Sequence, residues 1–119
     1  MNTTTALRVA AVTGFLAVAL GAFGAHGLKA TLEHNGTLAV WQTGALYHLV
    51  HAVVLLVLAQ RATVAKVPFF LFDAGIVIFS GSLYALAITN IKVLGAITPF
   101  GGGSLLAGWV CLAVCPKQG

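Results

Sequence analysis

Charge is what this sequence has least of. Only 7% of its 119 residues are Asp, Glu, Lys or Arg, against roughly 25% in soluble globular chains. The acidic side is reduced to Glu33 and Asp73. With 60% hydrophobic residues beside so little charge, a soluble domain is excluded and a membrane protein is implied. Six basic residues leave a formal net charge of +4. They are scattered at the edges of apolar runs, with no basic stripe and no interleaved aromatics, which argues against a nucleic-acid surface. No Pro/Ser-rich linker or low-complexity segment divides the chain, so residues 1–119 form one domain.

Cysteine is limited to Cys111 and Cys115. Four residues apart on one helix and without a neighbouring Lys, Arg or His to activate a thiol, they read as small apolar packing residues. No Ser-His-Asp arrangement, Walker loop or dinucleotide fingerprint is present, and Gly101-Gly102-Gly103 follows no strand that would make it a phosphate cradle. These absences lead to the expectation of a non-enzymatic protein with no cofactor.

What the sequence does have is four apolar runs near residues 7–28, 40–60, 67–89 and 99–115. Each approaches the roughly 20 residues, at about 1.5 Å rise, that a bilayer core demands. The apolar segment 93–97 reads as a separate interfacial turn before the last and shortest run. Arg8, Arg61, Lys66 and Lys117 fall on one side of these spans, and Lys29 and Lys92 on the other. Both termini are therefore expected in the cytoplasm. A rival reading makes Arg8, residues 9–20 and Ala22-Phe23-Gly24 a cleaved signal peptide. The small residues Gly14, Ala17, Gly21 and Ala25 argue against it, because a discarded peptide needs no packing face.

Every span has such a face. Span two offers Trp41, Gly44, Ala45, Tyr47, His48, His51 and Ala52; span three offers Asp73, Val77, Ser80, Gly81 and Tyr84; span four offers Ser104, Gly108, Cys111 and Cys115. An all-α, compact antiparallel four-helix transmembrane bundle uses these faces most simply. Counted from the cytoplasmic ends at about 1.5 Å per residue, His51 lies at about 13 Å, His48 at about 18 Å, Asp73 at about 9 Å and Ser80 at about 20 Å. That pairs His48 with Ser80 by level and brings His51 within reach of Asp73. His26 belongs near the opposite surface.

An ionisable side chain inside a membrane is a functional hypothesis by default, but a neutral histidine bonded to a hydroxyl or a carbonyl is an ordinary packing solution. Zinc needs further ligands that are not at hand, since His26 is distant in depth, His34 lies in a loop and the cysteines lie at the other end of span four. Two-histidine haem ligation needs a histidine on another span at matching depth, and there is none. Thr98 fits an N-cap and Pro99 the first helical position. The glycines after them suit either close approach of another helix or an anion at an exposed helix start.

Three stretches carry a resemblance: Gly21-Ala-Phe-Gly-Ala-His-Gly-Leu28; Trp41-x-Thr-x3-Tyr47-His48-x2-His51; and Phe79-Ser-Gly-Ser-Leu-Tyr84, followed by Thr89, Gly95-Ala-Ile-Thr-Pro99, Gly101-Gly102 and Gly108-Trp109. Nearly the whole chain resembles the small integral membrane proteins of the family known as domain of unknown function 423. That family has bacterial inner-membrane members and relatives resembling mitochondrial transmembrane protein 256. The resemblance implies a four-span bundle in the cytoplasmic (inner) membrane, or in the inner mitochondrial membrane of a eukaryote, and brings no activity or cofactor with it. His26, Trp41, Tyr47, His48, His51, Ser80, Ser82, Tyr84, Thr98, Pro99 and Gly102 match the pattern. Asp73 stands where an apolar or small residue is expected, which weighs against a His51–Asp73 mechanism.

Two functions from different classes follow. One is an accessory or assembly partner of a membrane complex, or a homo-oligomer, acting through helix packing in the bilayer. The other is a small transporter or proton-conducting protein built on His48, His51, Ser80 and Tyr84. A haem- or quinone-linked redox subunit is a weaker third. For topology, single cysteines at Thr3, Thr63 and Gln118 are expected to label from the cytoplasmic side and one at Asn35 from the other. A mature N-terminus just after Gly24 would contradict this arrangement.

Overall fold

Asn2 sets the start of the first helix: its Oδ1 accepts the Thr5 amide at 2.7 Å, giving a partner to a first-turn donor that has none within the helix. In the computed structural model, which describes residues 1–114, helix α1 runs Thr3–Ala25, α2 Lys29–Asn35, α3 Leu38–Ala59, α4 Lys66–Thr89 and α5 Thr98–Val114, with a 3-10 turn at Lys92–Ala96. α1, α3, α4 and the unit formed by the 3-10 turn with α5 are long and apolar enough to cross a membrane. The chain is an all-α bundle with four candidate spans. Cys115, Lys117 and Gln118 lie outside the described residues.

The first span differs from the sequence reading at both ends. It begins at Thr3 because of the Asn2 cap, and it ends at Ala25 because the Leu28 amide turns back onto the Phe23 carbonyl at 2.8 Å. His26 is therefore an exposed residue just past the helix end. The expected loop after it contains α2, so His34 is helical rather than in a loop. α2 buries Leu32 against Trp41 and Ala87 and stops at Gly36, whose φ of 69° is left-handed and costs glycine little. Asn35 Nδ2 and Thr37 Oγ1 then donate to the Ala87 carbonyl at 3.0 and 2.7 Å, and Asn35 also to the Ile88 carbonyl at 3.1 Å. These are last-turn carbonyls of α4, which its own helix leaves without donors.

Neighbours in sequence are neighbours in space. α1 packs on α3, α3 on α4 and α4 on α5, all antiparallel. Among the described residues, no close backbone approach joins α1 to α4, α3 to α5, or α1 to α5. Two grooves result, one between α1 and α4 and one between α3 and α5. The main core, with Leu55, Leu58, Phe69, Phe72, Ile76 and Leu105, fills one half of the bundle. Trp41 and Leu32 fill the other.

The small-residue faces are rotated from those expected. Ala17 is buried, and a Cβ at Gly14 would just touch Ala52. Gly21, by contrast, has nothing within 4 Å and Ala25 is exposed. The tight position on α1 is Gly24, where the Trp41 indole occupies the space of a Cβ. On α4, Val77 is 66% exposed and Gly81 faces open space. The buried glycine there is Gly75, where a Cβ would stand 2.5 Å from Leu105 Cδ2 and 3.0 Å from its amide nitrogen. α5 answers with Gly101, which lies on the Phe79 backbone, and with Gly108, where a Cβ would be 2.8 Å from Phe72 Cε1. Gly102 makes ordinary contact with the Phe79 ring and Gly103 none. The reason is physical: with no hydrophobic pull between helices in lipid, close backbone approach is what holds α5 on α4.

Valine at Gly75 or Gly101 is accordingly expected to force α5 off α4, costing roughly 1–3 kcal/mol or more. Valine at Gly103 is expected to be neutral. Thermal denaturation of the detergent-solubilised proteins checks both, and equal midpoints for all three variants would contradict the packing.

Candidate functional site

His48 and His51 are both about 5% exposed. Three residues apart on a helix, they diverge by about 60° around its axis, so each turns toward a different groove.

His48 looks toward α1 and α4. Its Nδ1 lies 2.9 Å from the Tyr84 hydroxyl, and the ring faces the Thr13 backbone of α1. With the ring proton on Nε2, toward that backbone, the Tyr84 O–H donates to Nδ1. Tyr84 packs against Trp41 with centroids 4.6 Å apart and the rings tilted by 44°, and Trp41 Nε1 donates to the Leu20 carbonyl at 2.9 Å. Gly44 makes room for this group, since a Cβ there would press on Tyr84 at 3.2 Å.

His51 looks toward α5. Its Nδ1–H donates to the Tyr47 carbonyl at 2.8 Å, while its Nε2 accepts the Trp109 Nε1–H at 3.1 Å. The two partners fix the opposite tautomer from that of His48. Phe72 and Trp109 pack around this ring at centroid distances of 5.7 and 5.9 Å. Tyr47 is half exposed and rests on Phe79.

The hydroxyls tie the same helices. Ser80 Oγ donates to the Gly44 carbonyl at 2.7 Å and Ser104 Oγ to the Leu71 carbonyl at 2.6 Å. Ser82 Oγ donates to the Phe79 carbonyl at 2.9 Å and lies 2.6 Å from Thr98 Oγ1, which leaves Thr98 as the donor between the two hydroxyls. Among the described residues every buried side-chain nitrogen or oxygen has a partner, and no three His, Cys, Asp or Glu gather as a metal site.

Several expected pairings are thus corrected. His48 bonds Tyr84 rather than Ser80, because Ser80 is spent on Gly44. No hydrogen bond or ion pair joins His51 to Asp73; Asp73 lies along the α1/α4 groove, of about 220 Å³, with Thr13, His48, Ser80 and Tyr84. Thr98 is the first residue of α5 and bonds Ser82 instead of capping, with Pro99 following it. The α3/α5 groove, of about 450 Å³, is lined by Tyr47, His51, Phe79, Pro99, Gly102 and Trp109. Sequence reasoning did not place Trp109 or Thr13 at the histidines. The signal for Trp109 exists: it and His51 stand at similar distances from the Thr98 and Leu38 ends of helices that face the same side.

These networks fall largely within a stretch that other proteins share. A family model described as Protein of unknown function (DUF423) matches residues 20–102. The chain belongs to this family. It is 46% identical over 111 residues to the UPF0382 membrane protein YwdK of Bacillus subtilis (strain 168), covering 87% of this chain and 89% of that one. It is 42% identical to a UPF0382 membrane protein of Haemophilus influenzae, covering 90% and 89%. It is also 41% identical to the UPF0382 inner membrane protein YgdD of Escherichia coli (strain K12), covering 91% and 86%. No solved structure matches it. Membership in the DUF423 family, with four apolar helices, establishes an integral membrane protein whose surroundings are the lipid bilayer.

Beside the signals of His26 and His34, nitrogen-15 spectra of histidine-labelled protein are expected to show one Nε2–H and one Nδ1–H neutral tautomer, lost respectively in His48→Asn and His51→Asn. Each substitution should destabilise only modestly, because interhelical hydrogen bonds in membranes average about 0.6 kcal/mol. A double-mutant cycle between His48→Asn and Tyr84→Phe should give coupling of that order, and zero coupling would remove the bond from the account.

Proposed function

We propose that this protein acts through its helix faces, as a non-enzymatic accessory or assembly component of the membrane it occupies. The observation that supports this most is the satisfaction of the two histidines. Three of the four imidazole nitrogens are hydrogen-bonded by the chain itself, with Tyr84, Tyr47 and Trp109, and the His48 ring also faces the Thr13 backbone, so the polar groups of the interior serve to position α1, α4 and α5 about α3. The outer surface of the spans is largely apolar, with Phe15, Val18, Val53, Val77 and Val110 exposed, and suited to lipid or to other helices. In this reading both termini face the cytoplasm of a bacterial inner membrane, in keeping with the clustering of Arg8, Arg61 and Lys66 at one side.

One observation favours a second reading, a transporter or proton-conducting protein. The α1/α4 groove brings Thr13, His48, Asp73, Ser80 and Tyr84 to one lining, and ionisable side chains along a groove are what a proton path requires.

Affinity purification in mild detergent, followed by mass identification, separates the two. Stoichiometric copurification of partner subunits or of further copies of the chain is expected, with assembly retained in His48→Asn. The pure protein in liposomes is expected to leave an imposed pH gradient unchanged, and gradient collapse lost in His48→Asn would favour transport instead.

A further inference from the structure

We infer that the α1/α4 edge of the molecule docks a second copy of the same chain, closed by reciprocal ion pairs between Arg8 of one copy and Asp73 of the other. This names the partner for the packing role proposed above and rests on that reading.

Asp73 is the single carboxylate among the described residues of the four spans, since Glu33 lies in α2. It is half-buried in the α1/α4 groove and makes no hydrogen bond or ion pair with the described residues. Arg8 is its counterpart in sign. Lys29, Lys66 and Lys92 are first residues of their helices and Arg61 follows α3, whereas Arg8 is set inside a spanning helix. Arg8 too is exposed and without a partner among the described residues. α1 and α4 start from the same side of the bundle. At about 1.5 Å per residue, Arg8 is about 8 Å and Asp73 about 11 Å from the starts of their helices, well within the span of an arginine side chain. Two opposite unpaired charges at one depth in hydrocarbon are each costly alone and far less so together.

The pair is not made within the chain, and geometry gives the reason. α1 turns Ala6, Ala10 and Ala17 toward α3, and Arg8, two residues from Ala6, is about 200° around the helix on the outer side. Arg8 shares that outer side with Val12 and Phe15, at i+4 and i+7, which are 59% and 73% exposed. Along the groove edge of α4 run Asp73, Val77 and Gly81, at i, i+4 and i+8. α1 of one copy beside α4 of the next, both rising from the same side, sets Arg8 at Asp73, Val12 at Val77, and the protruding Phe15 over Gly81. Gly81 has nothing within 4 Å in its own chain, so a bulky ring has room there. A two-fold axis along the membrane normal repeats the contact, which makes the surface self-complementary and closed at two copies.

The test begins with two differently tagged chains, both carrying Cys111→Ser and Cys115→Ser, coexpressed with Val12→Cys in one and Val77→Cys in the other. Oxidation is expected to join the two tags. Dimerisation is then followed by energy transfer between labelled chains as the protein-to-lipid ratio is varied. Arg8→Gln or Asp73→Asn should each raise the apparent dissociation constant about tenfold or more. The double variant should be no weaker than either single one, and Arg8→Lys should retain dimerisation. Gly81→Leu, which has room within its own chain, should fold normally and lose the crosslink. The inference is overturned if oxidation leaves the two tags separate while a control chain carrying both Val12→Cys and Val77→Cys crosslinks only within itself. It is also overturned if the two neutralising substitutions add independently, or if a larger complex copurifies with chains that never crosslink; that last result leaves the packing role standing.

Discussion

Inside hydrocarbon a leucine gains nothing by leaving lipid for a neighbouring helix, so the bundle depends on contacts that lipid cannot offer. Trp41 makes the central one. Its indole lies where Gly24 lacks a side chain, its N–H meets the Leu20 carbonyl, and its other face carries Tyr84. Because Tyr84 in turn holds His48, one tryptophan couples the ends of α1, α3 and α4 in a single group. The same logic runs through the hydroxyls of Thr37, Ser80 and Ser104, each of which reaches a carbonyl on another helix. Such bonds add to an already hydrogen-bonded backbone without breaking its ladder, which is how small polar side chains glue membrane helices at low cost.

How much of this the sequence discloses depends on the kind of information involved. The four spans were legible because apolar length is a one-dimensional property, and the 3-10 turn before α5 was visible as a short apolar segment between Lys92 and Thr98. The angular placement of faces was not. A small-residue pattern at four-residue spacing drifts around the helix, so Gly21 and Gly24 compete for the interface, and only the bulk of Trp41 decides for Gly24. Depth counting put His48 and Ser80 at one level, which their positions on packed helices allow, but it cannot tell that Ser80 is committed to Gly44 or that a tyrosine reaches further than a serine. The α2 helix was missed because seven residues with a lone buried leucine carry no periodicity to detect.

The matched family stretch, residues 20–102, contains Trp41, both histidines, Tyr84 and the Ser82–Thr98 pair. Thr13, Trp109 and Arg8 lie outside it. The interior that joins α3 to α4 therefore belongs to the part of the chain most plainly shared with the DUF423 family. The groups by which the outer helices α1 and α5 meet that interior come from the flanks. The two histidines sit at this boundary: His48 meets Tyr84 of α4 and faces α1, and His51 is fixed on its own helix by the Tyr47 carbonyl and reaches Trp109 of α5.

The order of the helices in space has a consequence for how the chain is made. Since each span packs on the one inserted just before it, no span has to wait in the bilayer for a distant partner, and assembly can keep pace with synthesis. His51 is the exception. Its Nδ1 is engaged as soon as α3 is a helix, but its Nε2 stays unpaired until Trp109 of α5, made after α4, arrives across that helix. The indole of α5 thus closes the network of the four described spans, and until it docks α3 carries an acceptor in the bilayer with no donor to meet it.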